Sequence, residues 1–165
     1  MKIDLVNGVL PVSVDSVEQT ARELTDLLRD PDAAPDLGAH VSALEAAQIA
    51  HRIGAGLVAA VRHPTADPAL LIGVLVTGTT DGMSTSDDLA IREVLHGHTA
   101  HGHPVTFIER VASLGQLPDC QLQAVVTDPD RRRAAVFTLS SPSGRGWLAL
   151  STLFGQVVSS VDFRD

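Results

Sequence analysis

Residues 120–139 read CQLQAVVTDPDRRRAAVFTL, two apolar runs around a turn. In the first, Cys120, Leu122, Ala124 and Val126 alternate with Gln121, Gln123, Val125 and Thr127, the period of a strand with one well-packed face. Asp128-Pro129-Asp130-Arg131 is turn chemistry, because proline presets the second turn position. Ala134 to Leu139 is then an antiparallel return strand. A short connection of this kind points to a mainly antiparallel sheet.

The rest of the chain adds strands and helices to that hairpin. Downstream, Trp147, Leu150, Leu153, Phe154, Val157 and Val161 recur at helical spacing, which predicts a closing helix. Upstream, Val105 to Val111 reads as a third strand. Leu57 to Arg62 and Leu70 to Thr77 form a hairpin with a long loop. The polar stretch Gly78 to Thr85 leads to a short helix capped by Ser86 or Asp87 and carrying Leu89, Val94 and Leu95. Two further helices are predicted. One spans 15–29, with Val17, Ala21, Leu24 and Leu28 on one face and Asp15 or Ser16 as cap. The other spans Leu37 to about Ile53, with the apolar positions Val41, Leu44, Ala47 and Ile53 in an alanine-rich helical pattern that Gly54 and Gly56 end. Residues 30–36 form a loop broken by Pro31 and Pro35. At the start, 2–6 and 9–14 read as a hairpin around Asn7-Gly8, with Pro11 favouring an edge. The fold class expected is α/β (α+β), one domain over 1–165: a mainly antiparallel sheet with helices packed on its faces.

Composition narrows the function. The chain has 165 residues, 44% hydrophobic and 3% aromatic, with a net charge of -8 and a mean hydropathy of +0.17. That balance suits a folded domain rather than a disordered one. An acidic chain with one lysine and no tyrosine lacks the basic stripe and stacking rings of a nucleic-acid binder. Cys120 is the lone cysteine, which excludes an internal disulfide framework. No apolar run reaches membrane-spanning length, and the start, with Asp4 and Pro11, lacks a signal-peptide pattern. The expectation is a cytoplasmic protein without membrane insertion.

The succession VFTLSSP, a polar loop, a tryptophan, LF and an aliphatic helix ending in SSVDF resembles the end of PsbP-like domains, as does HGHPVTFIERVASLGQLPDCQLQ upstream. Phe137, Leu139, Ser141 and Pro142 match the terminal strand; Trp147, Leu153, Phe154, Val157 and Phe163 match the helix. The resemblance is to actinobacterial members, some associated with type VII secretion, and covers roughly the last 65 residues. It implies an α/β/α sandwich and a binding or scaffolding role. It carries over no catalytic residue.

Two local features depart from the average composition. His96, His98, His101 and His103 lie within eight residues, and neutral imidazole is a common ligand of transition metals, so these four are the candidate metal ligands and also a candidate pH sensor. Their other reading is a solvated helix end, with His96 near the C-terminus of the third helix. Arg131, Arg132 and Arg133 concentrate positive charge beside a turn of an acidic protein, and are the candidate contact for an acidic partner or else a solvated hairpin tip. Glu109 and Arg110, adjacent in a strand, point to opposite faces, so at least one meets solvent or a partner. Gly78 to Thr85 lacks a phosphate-loop pattern, and Ser140 to Gly144 lacks a nucleophile elbow. No catalytic residues and no cofactor are assigned. The expected function is non-catalytic binding of another protein, as an accessory, chaperone or immunity-type factor. The alternative is a small-ligand or metal-binding module built on His96–His103.

Overall fold

The computed structural model describes residues 1–29, 37–78, 89–112, 120–130 and 132–164. The element order is β1 (Val9–Pro11), α1 (Val17–Leu28), α2 (Leu37–Arg52), β2 (Leu57–Val61), β3 (Ala69–Thr77), β4 (Leu89–His98), β5 (Pro104–Ala112), β6 (Cys120–Thr127), β7 (Arg133–Ser141) and α3 (Trp147–Ser159). The strands form one seven-stranded sheet in the order β1-β2-β3-β7-β6-β5-β4. Every pairing is antiparallel. The chain is therefore a mixed α+β protein with helices on both faces of an antiparallel sheet, as the sequence predicts.

Alternation along the strands divides two cores. Leu71, Ala124, Val126, Ala135, Phe137 and Leu139 pack with Leu150, Phe154, Val157 and Val158 of α3. On the other face Val58, Leu70 and Ile72 meet Leu24 of α1 and Ala43, Ala46 and Ala50 of α2. α1 begins where Ser16 Oγ accepts the Gln19 N–H at 3.2 Å, satisfying one donor of the first turn. Ala43, Ala46, Ala47 and Ala50 of α2 are buried, whereas its Leu44 and Ile49, and Ile53 just beyond it, are exposed. Small residues let α2 lie close to α1, so the helix turns its alanine stripe inward.

β7 sits at the centre, between β3 and β6. Its Phe137 is opposite Gly73 on one side and Ala124 on the other. A methyl group at Gly73 would lie 3.0 Å from the Phe137 ring, so the missing side chain makes room for the aromatic. Phe137 then reaches α3 without displacing a neighbouring strand.

Two sequence readings are corrected. Residues 2–6 do not pair with 9–14. Lys2 instead bridges Asp162, and β1 pairs with β2. Asn7-Gly8 does turn the chain, with Val9 N–H donating to Val6 O at 3.0 Å, but Gly8, at φ 94°, accepts from Arg62 N–H and feeds the next strand into β2. The segment expected to be a third helix is β4 over the described residues 89–98. Ser86, Asp87 and the stretch Thr79 to Thr85 lie outside the described residues. In place of the expected helix carrying Leu89, Val94 and Leu95, the segment forms a ladder to β5 running from Leu89↔Ala112 to His98↔Pro104.

Phe137→Ala removes a fully buried ring at the centre of the sheet and should cost about 3–5 kcal/mol, read as a lowered urea midpoint with unchanged slope. A loss below about 1 kcal/mol would show that β7 is not the packing centre.

Candidate functional site

Each end of the sheet presents an edge. β1 is three residues long and ends in Pro11, which removes a donor and blunts further pairing. β4 has ten residues, no proline, and no partner strand on its outer side among the described residues. Its side chains from Ile91 to His96 are exposed, including Ile91, Val94 and Leu95 at 59%, 45% and 54%. A register shift between Ile91 and Glu93 marks a bulge at Arg92. From Val94 to His98 the edge carries no charged gatekeeper apart from what histidine supplies.

On the α3 side of this edge a groove of about 420 Å³ lies between β4 and the start of α3. Leu95, Phe107, Leu122, Trp147 and Leu148 supply its apolar lining, with Arg92, Glu93 and Glu109 among its polar groups. Leu148 is 81% exposed and separates this groove from a second depression that includes His63, Thr65 and Gln156. Trp147 is only partly buried; its indole N–H donates to Glu109 Oε1 at 2.7 Å. Arg92 lies 3.7 Å from the same oxygen. Glu93 stands directly opposite Glu109 in the β4–β5 ladder, so two carboxylates share one face at cross-strand distance, an unfavourable pairing.

Arg110 takes the other face, as its adjacency to Glu109 requires. It is only 3% exposed; one guanidinium nitrogen donates to Gln123 Oε1 at 3.2 Å, and NH2 has no hydrogen-bond partner among the described residues. Burial lowers its pKa.

The four histidines are split by their places on β4 and the following turn. His96 and His98 are exposed on the strand, with His96 Nδ1 3.1 Å from Thr106 Oγ1. His101 and His103 belong to a turn fastened by the C-terminal segment. His103 is 4% exposed and stands edge-on to Phe163. Its Nε2 accepts the Phe163 N–H at 3.3 Å and lies 3.2 Å from Asp162 Oδ1. His101 Nδ1 is 3.0 Å from Arg164 NH2. Among the described residues, no three His, Cys, Asp or Glu side chains gather where they could hold a metal ion. The expected four-histidine metal site is therefore not assembled, because His103 is turned inward while His96 and His98 remain on the strand.

The arginine triplet is likewise divided. Arg131 lies outside the described residues, and Arg132 is exposed. Arg133 donates through Nε to Asp128 Oδ2 at 2.8 Å and through NH2 to Phe163 O at 3.0 Å, and its guanidinium lies over the Phe163 ring. It joins the β6–β7 turn to the chain end, so it is not a solvated tip.

Asp162 is the hub of that fastening. Side-chain hydrogen bonds from Arg164 hold its carboxyl well below the ordinary 3.8, with the Arg164 N–H adding to the effect and desolvation opposing it. A depressed folded-state pKa stabilises the fold fully above the ordinary value, and the contribution is lost as pH falls below it. The urea midpoint of Asp162→Asn should therefore lie below that of wild type at neutral pH and converge with it as pH drops below 3.8. A gap that stays constant into acid would contradict this role. No protein-family model and no curated protein matches the chain.

Proposed function

We propose that this chain acts by binding another protein, as a non-catalytic accessory, chaperone or immunity-type factor of an actinobacterial secretion or toxin system, on a PsbP-like fold. The observation that carries the reading is the open edge of β4, with Ile91, Val94 and Leu95 exposed beside the groove that Leu148 borders. Long apolar strand edges are templates for another chain, and proteins that must stay unpaired blunt them with short length, proline or charge. β1 shows such blunting over its whole length, whereas in β4 the bulge and the charges of Arg92 and Glu93 protect only the first half and leave Val94–His98 without either. The resemblance of the terminal strand and helix to PsbP-like domains supports a binding role by analogy.

Among the described residues no helix is long and apolar enough to cross a membrane. Affinity capture with the wild-type chain and with the double variant Leu95→Asp, Leu148→Asp tests the reading. Both side chains are exposed, and the new aspartate at 148 sits in the first turn of α3, where negative charge is tolerated. A partner recovered by wild type and lost by the variant is the expected result. Equal recovery by both, or a wild-type chain that captures nothing and turns over a small molecule, would sink it.

A further inference from the structure

We infer that the partner contributes an extended segment that adds to β4 as a further, antiparallel strand, with an apolar side chain at the mouth of the groove and a lysine or arginine two residues later. This rests on the protein-binding reading above and specifies its chemistry. The outer backbone groups of β4 have no partner strand among the described residues, and the sheet is antiparallel throughout. An added strand supplies the missing ladder, and its alternate side chains face α3.

Directly opposite Leu95, such a side chain meets Leu95 and Leu148 where they line the groove. Antiparallel direction places the residue two positions further along the guest opposite Glu93. Glu93 already faces Glu109 across the ladder, and the neighbouring cation Arg92, 66% exposed, lies 3.7 Å from Glu109. A guest cation relieves the like-charge pair; a guest carboxylate worsens it. The charge balance also argues against a second copy of this chain as the occupant. Each copy carries a net charge of -8 and would bring its own Glu93 to the edge. The recognition pattern is thus apolar, any residue, basic, on a partner strand.

The chain's single tryptophan lines the groove, so its fluorescence reports occupancy directly. The probe is the blocked peptide Thr-Thr-Thr-Leu-Thr-Lys-Thr-Thr, titrated into the full chain. A saturable change in Trp147 fluorescence is expected, with slowed amide exchange across Ile91–His98. Replacing the peptide lysine by glutamate should weaken binding about fivefold, and Glu93→Lys in the protein should reverse that preference. No saturable change up to about 1 mM peptide, or binding indifferent to both charge reversals, would overturn the inference. So would an unliganded chain that sediments as a dimer with β4 amides already protected, since a second copy would then hold the edge. Absent peptide binding alongside a partner still lost by Leu95→Asp, Leu148→Asp overturns only the extended, basic form; a partner retained by that variant overturns the protein-binding reading itself.

Discussion

The contact between Phe137 and the glycine beside it organises the molecule. β7 is the central strand, and Phe137 fits there because Gly73 presents no side chain across the β3–β7 ladder. With the ring seated, Leu150, Phe154, Val157 and Val158 of α3 close over it in one apolar cluster. Phe137, Phe154 and Phe163 thus lie within the packed core, and the strands further out share the same layer through Ala124, Val126 and Val105.

The two edges of the sheet are treated unequally because they are covered unequally. α1 and α2 pack against Val58, Leu70 and Ile72 on one half of the sheet, and β1 ends that half within three residues. On the other half α3 covers Phe107, Leu122 and the residues inward of them, but its first turn stops short of β4. The groove is the space left between the end of the helix layer and the end of the strand layer. Its apolar lining belongs to the same alternating faces that build the core, continued past the point where the helix covers them.

How far the sequence discloses this follows from local physics. The strict alternation of 120–127 is visible because that strand packs one face heavily, and the boundaries Cys120–Thr127 agree with the structure. The α1 cap is visible because Ser16 bonds Gln19 within its own turn. β4 is hidden for the opposite reason. Its apolar residues Val94 and Leu95 are adjacent and face opposite sides, the bulge at Arg92 breaks the period, and helix-favouring Leu, Arg and Glu fill the segment. Only the long-range ladder to β5 decides its conformation. The histidine cluster was misleading in the same way: proximity in sequence could not reveal that Asp162 and Phe163, some sixty residues away, draw His103 inward.

That last contact has a consequence for the open edge. α3 is tied to the β4–β5 hairpin at both of its ends. At the N-terminal end the Trp147 indole donates to Glu109 of β5. At the C-terminal end Ala100 N–H donates to Ser159 O, and Phe163 N–H donates to His103 Nε2 just before β5 begins. Two attachments on one strand pair fix the helix across it, so α3 cannot rotate over the groove beside its first turn without breaking one of these bonds. An edge held beside a preformed groove asks less ordering of the receptor when a segment binds, and the entropy cost then falls mainly on the guest. The clasp of Asp162, Arg164 and His103 therefore bears on the proposed docking edge by holding α3 in place, although it lies at the opposite end of α3 from the groove.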